Sequence, residues 1–528
     1  MYALKNNAAM KKEFTFILMV YNINDLNSLQ DLEQLRATEV LAQLSGIDTA
    51  GFNLVTIENL PRFNDSHTGT FNNTEVFDIT GPGGGSEIVR KRLFNMGKTN
   101  IGDTDSLAGL MMMIKLIYPA EKYVIFTFDH SNFIGHVLSN VVNKAVFSAE
   151  SAFAAINIAV KNIKNGLPAM KTISAINTPD ETDDAIAAKE KFRKLSKQEQ
   201  VRFAKDAYDI ITVSKSDMLT NGELADALFK AFPLNPPPGE AGRVEAVFFN
   251  TCYTGCVDNL YLYAKAVNYL VLSEGEVHYN SINIKKVIEY FRESKGNTAA
   301  AVTRCVTNFS KDFIAMNTDD EALANLKGTI LSAVNLSNNF QEKFRSYFNP
   351  LLRSLMSEMD TVYKVISDAD GQALWLDCFY IHQGKLPEDL GKDPSETYTR
   401  CYDLFSFLDT LTNEPRLKRF HELHDNIDLL RSFLNNIQLK VFPGENVDPQ
   451  YRGLSIFLPV NATVLGNKKK AQVAFNYSPF SDFQNEFARH TLWPEFLQLL
   501  NKFKQAELDK LPFYGRTSTR RLSSSPSA

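Results

Sequence analysis

The sequence predicts an α/β protein: a mainly parallel sheet flanked by helices, followed by a largely helical C-terminal region. In the first half of the chain, short apolar runs alternate with segments of helical periodicity, the pattern of repeated strand-then-helix units. Beyond about residue 285 helical patterns take over. The chain has 528 residues and is 44% apolar, long enough for a large core together with a second region or sizeable insertions.

Residues 1–12 read as a disordered start. Met10-Lys-Lys-Glu-Phe-Thr-Phe-Ile-Leu-Met-Val-Tyr21 imitates a signal peptide. However, its apolar run is short, Glu13 stands at the edge, and Asn22-Ile-Asn-Asp25 follows where small residues for cleavage belong, so it reads as a first buried strand. The further expected strands are Phe52 to Ile57, Glu75 to Ile79, Tyr123 to Phe128, Val244 to Phe249 and Tyr269 to Leu272. Between them, Ser28 to Leu44 places Leu29, Leu32, Leu35, Leu41 and Leu44 on one helical stripe. Thr104 can cap a helix carrying Leu107, Leu110, Met111 and Ile114.

Gly81-Pro-Gly-Gly-Gly-Ser86 follows a strand-like run and precedes the helix-like Glu87 to Phe94, a layout that can cradle phosphate. It lacks the lysine and serine/threonine pair of a P-loop and a complete G-x-G-x-x-G, so a surface loop is the default. From Ser148 to Asp209 the chain turns to Ala, Lys and Glu, as expected of an exposed helical insertion. Asn235-Pro-Pro-Pro-Gly239 then marks a break. The helical region runs through Leu417 to Leu439, with a last strand-like run at Leu454 to Val460, and residues 516–528 form a Ser- and Arg-rich tail of disordered composition.

Fifty-six basic against 61 acidic side chains give a net charge of −5, which argues against a dedicated nucleic-acid binder. No stretch approaches the roughly 20 apolar residues that span a bilayer. The five cysteines, Cys252, Cys256, Cys305, Cys378 and Cys401, are an odd and sparse set that reads as free thiols. Cys252-x3-Cys256 lacks the second ligand pair of a zinc site, and His421 and His424, spaced i and i+3, usually decorate a solvated helix face.

Two residues stand apart. Cys252 follows the apolar run Ala246 to Phe249 and precedes the helix-like run Cys256 to Val267, so it should emerge at the open edge of the sheet, where the helix N-terminus favours thiolate. His130 follows Tyr123-Val-Ile-Phe-Thr-Phe128 and has the same setting. Together they form a candidate dyad.

With these residues placed, the chain resembles the clostripain-like cysteine peptidases, relatives of caspases, gingipains and legumain. The matching pieces are Phe16-Ile-Leu-Met-Val-Tyr21 with Asn24-Asp-Leu26, Gly102-Asp-Thr-Asp-Ser-Leu107, Tyr118 to Tyr123 running into Asp129-His130, and Leu219-Thr-Asn-Gly-Glu-Leu224. Asn250-Thr-Cys252, Ser273-Glu274, Tyr402 to Phe407, Gly453 to Pro459 and Thr491 to Leu497 follow in family order. The resemblance implies a caspase-like peptidase domain over about residues 13–285, with the insertion at 148–209, and a helical region over 286–515 packed on it. It also implies a cysteine endopeptidase in which Cys252 is the nucleophile and His130 the general acid/base.

The same resemblance makes the backbone N–H groups of Ser131 and Cys252 the oxyanion donors and assigns Asn250, Ser273 and Glu274 to substrate binding. Two departures stand out: Ser131 replaces the usual glycine after the histidine, and Asn250 replaces an acid that binds a basic P1 side chain. P1 preference is therefore expected to shift away from Arg and Lys. The rival reading is a catalytically weak peptidase-like interaction protein or secreted effector. The chemistry needs no cofactor, a structural or activating Ca2+ staying open, and the expected partner is a protein or peptide substrate rather than nucleic acid or membrane.

By the same resemblance, relatives are often cut between the two dyad residues, and Lys189, Lys191, Arg193, Lys194 and Lys197 are the cut points here if basic specificity survives. Without a cleavable leader in the sequence, the expectation is a chain cytoplasmic as synthesised, or exported by a route that reads no N-terminal signal.

Overall fold

The computed structural model describes residues 11–21, 42–62, 71–81, 88–97, 101–128, 135–137, 218–236, 240–278, 280–336, 339–369, 375–379, 398–447, 449, 451–458 and 486–510. The expected insertion at 148–209, the tail and nearly all of the stripe from Ser28 to Leu44 lie outside these residues, as do Asp129, His130 and Ser131.

The strands are β1 (Lys12–Tyr21), β2 (Asn53–Arg62), β3 (Phe71–Thr80), β4 (Val89–Gly97), β5 (Ala120–Phe128), β6 (Gly135–Val137), β7 (Met218–Thr220), β8 (Val244–Asn250), β9 (Val267–Ser273), β10 (Ile330–Asn335), β11 (Trp375–Phe379), β12 (Tyr398–Asp403), β13 (Gln438–Pro443) and β14 (Ser455–Phe457). Nine of them form one sheet in the order β13-β10-β9-β8-β5-β1-β2-β3-β4. The centre, β9-β8-β5-β1-β2, is parallel throughout, and an antiparallel pair closes each edge. The strand order reverses at β1, with β2 on one side and β5, β8 and β9 on the other, so the carboxyl ends of the central strands frame the natural ligand crevice of such a sheet.

The central strands are buried on both faces, which explains why their sequences are mainly apolar at successive positions. Phe14, Phe16, Leu18 and Val20 of β1, Val124, Phe126 and Phe128 of β5, and Phe248 of β8 enter one core, while Ile17, Met19, Ile125, Val247 and Phe249 enter the other. The first core is covered by α4 (Ile284–Glu293) and α5 (Thr298–Thr307), and by α6 (Phe309–Ile314) and α7 (Asp320–Gly328) beyond them. The second lies under α1 (Thr104–Ile117), α2 (Asn221–Ala231), α3 (Val257–Tyr263), α8 (Phe340–Ser357), α9 (Met359–Ala369), α10 (Leu404–Asn413), α11 (His421–Ile437), α12 (Glu486–His490) and α13 (Trp493–Lys510). The result is a three-layer α/β sandwich.

Several expectations change. The segment Glu87 to Phe94 is not a helix start: residues 89–97 form the edge strand β4, antiparallel to β3. Tertiary pairing decides it, since Arg90 and Arg92 reach across to Glu58 and Glu75, and Leu93 and Phe94 fill the core. The Gly81 loop therefore lacks the following helix that a phosphate cradle uses. At α1 the cap is Asp103, whose carboxylate accepts from Ser106 N, and Thr104 is the first helical residue. The run from Cys256 to Val267 divides into the short α3 and the start of β9. Beyond residue 285 the chain is largely helical but returns two strands, β10 and β13, to the sheet, and the expected final strand is β14, within the run Leu454 to Val460. Among the described residues no helix is long and apolar enough to cross a membrane.

Candidate active site

β5 and β8 are neighbours in the parallel centre, and their last paired residues, Phe128 and Asn250, stand opposite each other in register. Both strands thus leave the sheet side by side at its carboxyl edge, where neighbouring strands lie about 4.8 Å apart. In sequence, His130 follows Phe128 by two residues and Cys252 follows Asn250 by two.

Cys252 is half-buried in the turn that leaves β8. Tyr253, next to it, has φ 54°, a left-handed conformation that reverses the chain, and its N–H donates to Gly275 O at 2.9 Å. Gly255 N donates to Ser273 O at 2.6 Å, and Ser455 N donates to Gly255 O at 2.8 Å, so the turn is pinned between β9 and β14. The Cys252 sulfur lies 3.4 Å from Val277 N and 3.6 Å from Val277 O. A neutral thiol can donate to that carbonyl, and a thiolate can accept from that N–H.

The helix expected to polarise Cys252 begins only at Val257, with Cys256 as its N-cap. The left-handed turn at Tyr253 and the bond from Gly255 to Ser273 intervene, and the backbone donor the structure brings to the sulfur is Val277 N–H. Cys256 is fully buried, and its thiol donates to Asp258 Oδ2 at 3.1 Å. Cys305 lies in the other core, its thiol pushed up by burial.

The three residues assigned to substrate binding are all buried, Asn250 and Ser273 at 0% exposure and Glu274 at 1%. Asn250 Oδ1 accepts from Ser281 N and Ile282 N, each at 3.1 Å, and from the Ser281 hydroxyl. Ser273 Oγ bonds to Ile330 O at 2.8 Å and to Gly275 O at 3.1 Å. Glu274 Oε2 accepts from Gly453 N at 2.9 Å, and the carboxyl shares a hydrogen bond with Asp403.

Burial, reinforced by the negative charge of Asp403, holds the Glu274 carboxyl well above the usual carboxylate range. Asp403 is also raised by burial, but it accepts from the backbone N–H groups of Ser406 and Arg452 and from Glu274. The shared proton therefore belongs to Glu274. The sequence reading gave three partners here no role at the site: Val277 acts through its backbone, which has no residue signature, while Asp403 and Gly453, in stretches quoted for the resemblance, are brought in from the distant C-terminal region.

Among the described residues no group of three or more His, Cys, Asp and Glu is arranged to hold a metal ion. His424 Nε2 lies 3.2 Å from Leu417 O, a local contact at the start of α11. A surface cavity of about 350 Å³ between α8 and α11 is lined by Phe340, Lys343, Tyr347, Leu429 and Phe433, none of them at the cysteine turn.

No protein-family model matches the chain, and no curated protein matches it. Solved structures do. An inactive zymogen C11 protease from Parabacteroides distasonis is similar with a TM-score of 0.47 and 12% identity, covering 92% of this chain and 98% of its own. A secreted C11 cysteine protease from Bacteroides thetaiotaomicron, "iotapain", gives a TM-score of 0.44 at 11% identity over 88% of this chain and 99% of its own. A secreted C11 cysteine protease from the same organism, in complex with an irreversible peptide inhibitor, gives 0.45 at 11% identity, covering 84% of this chain and 92% of its own. The structures similar to this chain are thus C11, or clostripain-like, cysteine proteases.

Proposed function

We propose that the chain is a cysteine endopeptidase working through Cys252 and His130. The observation that carries this reading is the pairing of Phe128 with Asn250, which ends the strands that precede the histidine and the cysteine in sequence side by side at one sheet edge. A half-buried thiol in a rigid turn beside a backbone donor adds to it. In sequence, the chain's resemblance to clostripain-like peptidases points the same way.

In this mechanism the Cys252 thiolate attacks the scissile carbonyl carbon, forming a C–S bond and a tetrahedral oxyanion that the backbone N–H groups of Ser131 and Cys252 stabilise. Collapse breaks the C–N bond while protonated His130 gives its proton to the departing amine. Water, deprotonated by His130, then attacks the thioester, the C–S bond breaks, and the acid product leaves. Protein or peptide is the substrate, and none of the steps needs a metal.

Preference for Arg or Lys at P1 is expected to be weak. Asn250 carries no charge and its oxygen is taken by three donors, and the Glu274 carboxyl, held well above the usual carboxylate range by burial, is bonded to Gly453 N and Asp403. A cation desolvated there would lack its partner, a penalty of several kcal/mol. Incubation with an irreversible thiol-directed peptidyl inhibitor, followed by intact mass and peptide mapping, tests the function. Stoichiometric labelling of Cys252 is expected, and labelling elsewhere or none would sink it. A peptide-library profile tests the specificity: strong wild-type selectivity for Arg or Lys would refute this account of the pocket, and its loss in Glu274→Gln would show that Glu274 supplies the charge.

A further inference from the structure

The chain leaving β9 is fastened to the cysteine turn at several points. Gly275 O accepts from Tyr253 N, and the Tyr253 hydroxyl donates to Glu276 Oε1 at 3.0 Å. Val277 lies against the Cys252 sulfur through its peptide N–H and carbonyl. Ser281 and Ile282 then bond back to Asn250, at the end of β8. From the outer side, Asn317 Nδ2 donates to Asn280 O at 3.0 Å, and Gln43 bonds to the Asn280 side chain and to Ile284 N. The segment is thus a strap anchored on both sides of Val277.

We propose that Asn250 is a positioning residue for the nucleophile: its amide oxygen holds Ser281 and Ile282 so that the strap presents Val277 N–H to the Cys252 sulfur and favours the thiolate. This rests on the reading of Cys252 as nucleophile. Asn250 is fully buried, so it acts through the strap rather than on substrate. Its oxygen gathers two backbone N–H groups and a hydroxyl, and without it those buried donors would have to move to find partners. An N–H aimed at sulfur stabilises the ionised form over the neutral one.

Among the described residues, the strap and the cysteine turn also carry Glu276, whose carboxylate accepts from the Tyr253 hydroxyl, His278, whose Nδ1 accepts from Asn280 N at 3.3 Å, Cys256, paired with Asp258, and Glu274, held well above the usual carboxylate range. His130 lies outside the described residues. None of them is itself substituted in the Asn250 or Ser281 variants, and Glu276 and His278 ride on the strap, so a change in the thiol's titration between variants reports on where the strap sits.

The test is the rate of Cys252 alkylation by iodoacetamide against pH, followed on the full chain by mass with peptide mapping. In Asn250→Leu the inflection should move up in pH and the rate at pH 7 fall roughly tenfold. Ser281→Ala, which removes the hydroxyl donor alone, should shift the profile in the same direction by less, and it decides the matter if Asn250→Leu does not fold. A wild-type profile in the folded variants would overturn the proposal. So would faster alkylation at every pH with an unmoved inflection, which would make the strap a shield only. Because alkylation needs no turnover, the peptidase reading fails separately, by Cys252→Ala retaining activity.

Discussion

At Gly255 a single hydrogen atom decides the geometry of the cysteine turn. A Cβ there would lie 2.8 Å from Glu274 Cα and N and 2.9 Å from Ser273 C, all backbone atoms that cannot swing aside. Gly255→Ala should cost about 1–3 kcal/mol and displace the turn. Thermal melts should show the loss together with altered alkylation of Cys252, and a wild-type melt would contradict the packing. Cys252 and His130 serve consecutive parts of one acyl transfer, so each alanine variant should remove nearly all activity and the double variant little more. Peptide hydrolysis by purified variants checks this, and full turnover in Cys252→Ala would mean another nucleophile. Cys256→Ala should leave the chemistry and affect stability, since that thiol is buried against Asp258. Cys252 is legible in sequence by its place after an apolar strand. Its hydrogen-bond donor, a backbone N–H some 25 residues on, is not.

At the scale of elements, β9 is joined to the β12–α10 junction by the carboxyl pair of Glu274 and Asp403. Asp403 caps α10 through Ser406 N, and Gly453, at φ +81°, brings its N–H to Glu274 from the segment before β14. Above the ordinary 4.5 of a glutamate, the unfolded chain releases this proton while the folded chain keeps it. The unfolded state then binds fewer protons, so the contribution is whole below pH 4.5 and declines as pH rises towards the folded value. Glu223, in the capping box of α2, is raised by burial to about 7 and acts in the same direction, so only the difference between variants isolates Glu274. Glu274→Gln keeps an oxygen for Gly453 N–H and offers an amide to Asp403. It should lose stability less steeply as pH rises above 4.5 and melt above wild type in alkaline buffer. Parallel pH dependences would sink the proton-sharing pair.

Across the whole molecule, the segments on either side of residues 148–209 are held together twice. β5 pairs with β8 in the central sheet, and β6 pairs with β7, Gly135 opposite Thr220. The C-terminal region is locked on as well: β10 and β13 extend the sheet, and buried Trp493 donates to Phe457 O at 3.0 Å. Cleavage within 148–209 should therefore leave two fragments that co-elute and melt as one body. Limited trypsin digestion followed by size exclusion checks this, and fragments that separate without denaturant would contradict it. If the same nick arises by self-cleavage, it should vanish in Cys252→Ala.

The central strands were readable from sequence because a strand covered on both faces is apolar at successive positions rather than at alternate ones, and β1, β2, β5, β8 and β9 each carry such a stretch, short in β2. So was the edge on which Cys252 sits, since strand direction and sequence offset set it together. Only the tertiary structure decided β4, whose arginines make sense as partners of Glu58 and Glu75, and β10 and β13, which lie among helices in sequence but complete the sheet. The same holds for Asn250, Ser273 and Glu274. Their residue types suggest a polar pocket, whereas their burial and their bonds to Ser281, Ile330 and Gly453 turn them inward. Local pattern specifies which segments are strands and helices. What a polar side chain does once buried depends on the partners that distant segments bring to it, and no local pattern carries that information.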